Sequence, residues 1–431
     1  MDDAVTYYAE ERWTAGIVGL GYVGLPLAVT AAHAGLNVVG FDVDEAYVAR
    51  LGRGDSPIED VPDEQLASAL ATGLEVTSDP ARLAEADAVF ICVPSPLGRN
   101  REPDLSYIRA AAQTVASIAH PGMLVSLEST TYPGTTEDII VPALTAEGLE
   151  LDRDVWVAFS PERVSPGDAL KTPDIPKLVG GVTEESTEVA SAAYRRLVAS
   201  VHPVSTAAVA EMAKLFENTY RAVNIGLANE MGQLAHALGI DIWEVIDAAD
   251  TKPFGFQAFY PGPGVGGHCI PLDPQFLAWR AREAKFATRF IDLAEQVNVG
   301  QPAYTANRIA SVINSQRLPV FGTEILGVGI AYKPNIADDR ESASIDVLRV
   351  LEGSGGVISV LDPVVSPDRV EHHGFSAVTQ EDDLSKFAVA VILTDHDDID
   401  YADLATRVPV VFDAKGAYRR RGLTAENVVP L

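Results

Sequence analysis

The sequence predicts an α/β chain made of two Rossmann-like parallel-sheet domains, joined by a long central helix and a helical middle domain. Three observations carry that prediction. Short apolar runs alternate with helical patterns early in the chain and again after Pro319, the pattern of parallel sheets covered on both faces. The first run opens into a glycine-spaced turn, Gly19-Leu20-Gly21-Tyr22-Val23-Gly24. Between the two stretches, Ala207 to about Leu238 keeps helical spacing of apolar residues without a proline. The expected divisions are 1–204, 205–316 and 317–431.

Composition bounds the function. A chain of 431 residues is long enough for two or three ordinary domains. Its 47% hydrophobic and 22% charged residues are a globular mixture, not a disordered one. No apolar run is long enough to span a bilayer, and Met1-Asp2-Asp3 lacks the basic start of a signal peptide. A soluble cytoplasmic protein is expected. Two cysteines, Cys92 and Cys269, make no disulfide framework. A net charge of −29 argues against nucleic-acid binding. It also means that any bound phosphate needs local lysines, arginines or helix N-termini. Only 8 of the 32 basic residues are lysines, which fits either high internal salt or a GC-rich genome.

In the first sheet domain, Ala15 to Val18 reads as a strand, Leu25 to Ala34 as a helix, and Val38 to Phe41 as the next strand, ending at Asp42. Glycines in that turn let backbone approach a pyrophosphate at the helix N-terminus. An acid at the end of the following strand, about 20 residues on, is placed to accept from a ribose 2′-hydroxyl. The pattern predicts NAD rather than NADP. Ala86 to Val93 is a further buried strand, which makes Cys92 a core residue, and it runs into Pro94-Ser95-Pro96. Leu124 to Leu127 leads into the hydroxyl-rich stretch Glu128 to Thr136, which either faces the nicotinamide end of the cofactor or caps the next helix. Trp156 to Phe159 leads into Ser160 to Gly167, where Glu162 is either a base at a strand end or a solvated surface acid.

The middle of the chain carries the candidate chemistry. Lys214 and Asn218 stand one turn apart on the predicted long helix, a pair that binds a developing alkoxide or else snorkels and bridges helices. Helices are expected at about Ile242 to Ala249 and Pro274 to Glu283. Between them, Phe259 to Pro274 is too rich in glycine and proline for a regular element. Cys269 sits in this loop with Asp273 four residues on. It reads as a covalent nucleophile or as a buried structural cysteine.

In the last domain, Glu324 to Ile330, Val357 to Leu361, Ala388 to Thr394 and Val410 to Asp413 read as strands, with a helix opening at Asp338 to Ser342. Gly327 and Gly329 lack the third glycine of a dinucleotide fingerprint, so this sheet is expected to hold something other than NAD. Lys333 and Arg340, after its first strand, are positioned for phosphates.

These stretches together resemble the UDP-glucose/GDP-mannose dehydrogenase family over nearly the whole chain. The matching segments are Gly19 to Pro26, Pro94 to Pro96, Glu128 to Thr136, Ser160 to Gly167, Lys214 to Asn218, Gly264 to Asp273 and Tyr332 to Ser342. Lys252 to Pro271 is most similar to UDP-N-acetylglucosamine 6-dehydrogenases, and UDP-N-acetylmannosamine dehydrogenases share much of it. The resemblance implies NAD-dependent, two-step oxidation at C6 of a UDP-sugar. It implies Cys269 as nucleophile, Lys214 and Asn218 at the alkoxide and oxyanion, and Asp273 orienting the lysine or a water. It further implies Glu162 as base in thioester hydrolysis and Thr130 positioning water.

Cofactor contacts are implied at Gly19, Gly21, Tyr22, Val23, Gly24, Asp42, Pro94, Ser95 and Thr130. Substrate contacts are implied at Glu162, Arg163, Lys214, Asn218, Phe259, Tyr260, Gly266, Lys333 and Arg340; no metal is called for. The partners expected are a UDP-sugar and a second copy of the chain, with neither nucleic acid nor membrane. Two departures, Pro166 where glucose-specific members carry a glutamate and His268 where they carry serine, count against UDP-glucose. Other readings are a single-hydride dehydrogenase of the hydroxyacid or phosphogluconate type, and a nucleotide-sugar sensor without catalysis.

Overall fold

Parallel strands buried on both faces need apolar residues at consecutive positions, and the first part of the chain supplies them. The structure, a computed structural model, describes residues 2–58, 60–98, 100–164, 174–267 and 269–431. Two units are distinguished: Met1–Glu217 with Gln275–Phe286, and Asn218–Pro274 with Ala287–Leu431.

The first unit holds β1 (Thr14–Val18), β2 (Asn37–Phe41), β3 (Leu74–Thr77), β4 (Ala88–Ile91), β5 (Met123–Leu127), β6 (Val155–Phe159), β7 (Lys177–Gly181) and β8 (Val201–Pro203). They form one sheet in the order β3-β2-β1-β4-β5-β6-β7-β8. Every pairing is parallel except β6 with β7. Successive residues bury on opposite faces: Ala88 and Phe90 in one core, Val89 and Ile91 in the other. The strand order is that of a doubly wound dinucleotide fold, in which ligands bind beyond the carboxyl ends of the strands.

The strand expected over Ala86 to Val93 is shorter. Asp87 turns its carboxylate to the Thr14 N–H at 2.8 Å, and the ladder begins only at Ala88. Cys92 lies just past the strand end and is buried, with its amide on the Val18 carbonyl at 2.8 Å. Sequence reading passed over helices Asp2–Glu10 and Glu184–Tyr194, which pack on one another. Tyr8 anchors the first of them, donating to the Asp87 carbonyl at 2.5 Å from a fully buried position.

The second unit repeats the winding. Its strands β9 (Glu324–Val328), β10 (Val357–Leu361), β11 (Ser376–Val378), β12 (Val389–Ile392), β13 (Val411–Asp413) and β14 (Val428–Pro430) run in the order β11-β10-β9-β12-β13-β14. All its pairings are parallel. The helix expected to open over Asp338 to Ser342 begins at Ala343 with Ser342 as its N-cap, because Glu341 ahead of it takes a left-handed φ of +51° that cannot continue a right-handed helix.

The central helix spans Ala207–Leu238. Within the second unit it packs on helix Arg289–Ser315, where Gly226 lies so near that a Cβ would stand 3.3 Å from Ala294 Cα. Amides stitch the pair: Asn229 to Asn298 at 3.1 Å and Gln233 to Gln301 at 3.0 Å. Among the described residues, no helix is long and apolar enough to cross a membrane.

Candidate active site

The glycine-spaced turn leaves β1 at Gly19, whose φ of +90° is a conformation that favours glycine. Gly24 begins the helix Gly24–His33 and packs so closely that a Cβ would lie 1.8 Å from the Gly19 carbonyl oxygen. Gly21 has open space beside it, Tyr22 is half exposed, and Val23 precedes the first helical turn. Asp42, at the end of β2, accepts from the Leu20 N–H at 2.9 Å and the Asp44 N–H at 3.1 Å. Each carboxylate oxygen keeps acceptor capacity for a ribose hydroxyl. Glycine turn, helix N-terminus and terminal acid are the parts a dinucleotide needs, so the residues fit NAD.

Beside this turn, Ser129 Oγ donates to the Val93 carbonyl at 2.7 Å, joining the loop that carries Thr130 to the one that carries Pro94 and Ser95. Thr130 and Ser95 are half-buried and Pro94 is exposed. Glu211, on the central helix, reaches the same loop. Its carboxylate accepts from Gly134 N at 2.6 Å, Thr136 N at 3.0 Å and Thr136 Oγ1 at 2.7 Å. Burial raises the Glu211 carboxyl to about 7 against the lowering effect of those bonds.

Glu162, beyond β6, is not a solvated acid. Its Oε1 accepts from the Arg163 and Val164 amides at 2.7 and 2.8 Å, and its Oε2 meets Lys177 Nζ at 3.1 Å. Burial pushes this carboxyl up, but the Lys177 charge and the hydrogen bonds bring it below the ordinary carboxylate range. Lys214 Nζ donates to the Glu162 carbonyl at 2.7 Å. Arg163 pairs with Glu217 at 2.7 Å and donates to the Pro176 carbonyl at 2.8 Å. The first unit thus gathers Glu162, Arg163 and Lys214.

Sequence reading missed Lys177. Lying on β7, it is 2.6 Å from Glu128, itself fully buried. Its partners lie 49 and 15 residues away in the chain, and no local pattern announces them.

In the second unit, Asn218 Nδ2 donates to Asp273 Oδ2 at 2.5 Å, with both side chains buried. Asp273 opens helix Asp273–Glu283, and its amide donates to the Cys269 carbonyl at 2.8 Å. Cys269 is exposed, which disposes of the buried structural cysteine. Gly266 faces backbone closely: a Cβ there would meet the Glu341 carbonyl oxygen at 2.7 Å. Phe259 lies edge-on to Tyr220 at 6.0 Å, while Tyr260 stacks on Trp243 at 5.2 Å and donates to Asp247 at 2.8 Å.

Lys333 is half-buried beyond β9, and Arg340 is exposed, with an ion pair to Asp338 at 2.7 Å. Lys415, after β13, was also missed. A Cβ on Gly262 would stand 3.7 Å from its Nζ, and burial lowers its pKa. Its only sequence signal is an Asp-Ala-Lys-Gly turn at a strand end. Pro166 and His268, the two departures expected to count against UDP-glucose, lie outside the described residues. Among the described residues, no three His, Cys, Asp or Glu side chains cluster to hold a metal ion.

Comparison with known proteins bears on this arrangement. Residues 14–198 match the NAD binding domain of the UDP-glucose/GDP-mannose dehydrogenase family, 208–299 its central domain, and 326–420 its UDP binding domain. A UDP-N-acetyl-D-mannosamine dehydrogenase of Methanococcus maripaludis is 34% identical over 414 residues, covering 93% of this chain and 92% of the relative. A UDP-N-acetyl-D-glucosamine 6-dehydrogenase of Pseudomonas aeruginosa is 35% identical over 359 residues, covering 83% and 84%. The solved structure of a UDP-D-ManNAc dehydrogenase from Pyrococcus horikoshii superposes with a TM-score of 0.85 at 32% identity, covering 96% of this chain and 97% of that one.

Proposed function

The chain belongs to the UDP-glucose/GDP-mannose dehydrogenase family, and on that premise we propose that it oxidises C6 of UDP-N-acetylmannosamine to the carboxylate through a thioester on Cys269. Membership carries NAD as cofactor and the four-electron oxidation of a nucleotide-sugar hydroxymethyl. The sugar and the residue roles are our reading. Mannosamine is favoured because dehydrogenases named for it recur among the full-length relatives and the similar structures. UDP-N-acetylglucosamine is the second reading, carried by the Pseudomonas aeruginosa relative and by the Lys252 to Pro271 loop.

The single observation behind the chemistry is the Asn218–Asp273 pair at the start of the helix that follows Cys269. The bound cofactor supplies a hydride acceptor for each of the two oxidations. Lys214 and Asn218 stabilise the oxygen at C6 as its charge develops. Cys269 Sγ adds to the aldehyde carbon, giving the tetrahedral thiohemiacetal from which a second hydride can leave. Thr130 positions water, and Glu162, held ionised, takes its proton as the thioester is hydrolysed. Lys333, Arg340 and Lys415 hold the diphosphate, which answers the need for local cations on an acidic chain.

We read the chain as three functional parts: an NAD part over 1–204, a central part over 205–316 and a UDP-sugar part over 317–431. The central helix also serves as the surface of a homodimer. Comparing kcat/KM for UDP-N-acetylmannosamine, UDP-N-acetylglucosamine and UDP-glucose tests the substrate. The highest value with the mannosamine sugar supports the reading, and the highest value with either other sugar replaces it.

A further inference from the structure

Behind Glu162 lies a row of buried polar groups that the mechanism above does not use. Ser126 Oγ and Tyr194 OH are 2.8 Å apart, and Tyr194 donates to Glu128 Oε1 at 2.7 Å. Glu128 Oε2 meets Lys177 Nζ at 2.6 Å, and Lys177 meets Glu162 Oε2 at 3.1 Å. The Glu128 and Lys177 side chains are 0% and 3% exposed, whereas Glu162 is 17% exposed, so the row opens at Glu162.

Burying an ion pair in a sheet rarely stabilises more than apolar residues of the same volume. Packing therefore gives no reason to place a lysine on β7 between two glutamates. Charge counting gives one. Two carboxylates share one ammonium, so the group carries one negative charge and has room for one proton. Hydrolysis of a thioester releases such a proton at Glu162.

We propose that Lys177 and Glu128 are positioning residues for thioester hydrolysis, clamping the Glu162 carboxylate and setting its affinity for the proton it removes from water. This rests on the reading of Glu162 as the base. In the step, an O–H bond of water breaks and its proton goes to Glu162. The oxygen bonds to the thioester carbon, and the C–S bond breaks with its electron pair going to Cys269 Sγ.

Among the described residues, the groups facing Glu162 are Lys177 from β7, the Arg163 and Val164 amides in its own loop, Lys214, which holds its carbonyl, and the buried Cys92 thiol past β4, which feels the charges of all three members of the row. Glu128 acts through Lys177. Burial raises the Glu128 carboxyl, with Lys177 opposing. Burial lowers the Lys177 ammonium, but the two glutamates overcome it and its pKa is raised. The three sites share one proton balance, so changing either partner moves Glu162.

The test measures hydrolysis and its pH profile in Lys177→Met/Glu128→Gln, Glu128→Gln and Lys177→Arg, with Glu162→Gln as reference. The double variant removes both buried charges together and leaves no orphaned carboxylate at Glu128. It is expected to form NADH in a burst, to accumulate an acyl adduct on the Cys269 peptide by mass spectrometry, and to hydrolyse it about tenfold more slowly or worse. Its acid limb should move to higher pH.

Glu128→Gln leaves Lys177 to Glu162 alone and should move the same limb to lower pH. Lys177→Arg should restore hydrolysis. Opposite shifts are not expected of residues that merely hold the sheet together. Wild-type hydrolysis in the double variant overturns the proposal, and so does an unmoved limb in Glu128→Gln, which stays decisive if the double variant fails to fold. If Glu162→Gln accumulates adduct and the double variant does not, only this inference fails. If Glu162→Gln accumulates none, the base assignment itself fails and this proposal with it.

Discussion

Asn218 donates its side-chain amide to Asp273 at 2.5 Å, and Asp273 in turn hydrogen-bonds through its backbone to the Cys269 carbonyl at 2.8 Å. A residue of the central helix and the start of helix Asp273–Glu283 thereby fix the segment that presents the thiol. Asp273→Asn removes the charge and leaves Asn218 facing a second amide. Its kcat should fall roughly a hundredfold, with KM for the nucleotide sugar changing little. A steady-state assay checks this. A loss confined to KM would remove Asp273 from the reacting centre.

Cys269→Ser should abolish formation of the carboxylate, with a loss of more than about a thousandfold. A single-hydride enzyme would keep its turnover in this variant. Product analysis of the variant with saturating NAD separates the two.

Gly24→Ala puts a methyl 1.8 Å from the Gly19 carbonyl. The turn must open, which takes the helix N-terminus away from the pyrophosphate. NAD affinity should drop at least about tenfold, read by fluorescence titration. Gly21→Ala meets no protein atom, so the turn should keep its shape, but its methyl enters the space through which backbone approaches the pyrophosphate, and NAD affinity should fall there without loss of stability.

Glu211 gives a pH dependence with a definite sign. Its carboxyl is raised from 4.5 to about 7, chiefly by burial. A raised carboxyl means that the folded state binds the proton more tightly than the unfolded one. The stabilisation is complete below about 4.5 and is lost as pH climbs through about 7, worth on the order of 3 kcal/mol at most. Glu211→Gln lacks this term. Its stability relative to the parent should improve as pH rises from 4.5 to 7, measured by urea unfolding.

Along the central helix, Val209, Met212, Phe216 and Tyr220, then Leu227, Met231, Leu234 and Leu238, follow at three- and four-residue spacings with one step of seven between the two sets, and all are exposed. That stripe is what a helix pairing with a second copy presents. Leu227→Glu with Leu234→Glu should halve the mass seen by light scattering. An unchanged mass would move the dimer surface elsewhere.

Both sheets were legible because a parallel strand carries its own signature, and the turn at Gly19 because it demands glycine at fixed spacing. The second sheet lacks that fingerprint, yet it winds the same way. Asp362 ends β10 as Asp42 ends β2, accepting the Ile330 N–H at 2.7 Å where Asp42 accepts that of Leu20 at 2.9 Å. The short edge strands β3, β8, β11 and β14 escaped because three or four residues hold too little pattern.

At the site, spacing revealed Lys214 with Asn218 and Cys269 with Asp273, since each pair lies within one turn or loop. Lys177 with Glu128, and Glu211 with Thr136, were invisible because their meaning lies in contacts 49 and 75 residues apart. Glu162, read as either a base at a strand end or a solvated surface acid, is the open end of a buried row that its sequence neighbours do not announce.

The central claim is that two oxidations occur at one carbon through Cys269. The most direct test is the NADH formed per molecule of limiting nucleotide sugar, run with UDP-N-acetylmannosamine, UDP-N-acetylglucosamine and UDP-glucose at low and high salt. The account predicts about two NADH per molecule of the mannosamine sugar, with no aldehyde released. About one NADH, with aldehyde accumulating, would contradict the thioester route and the role given to Cys269.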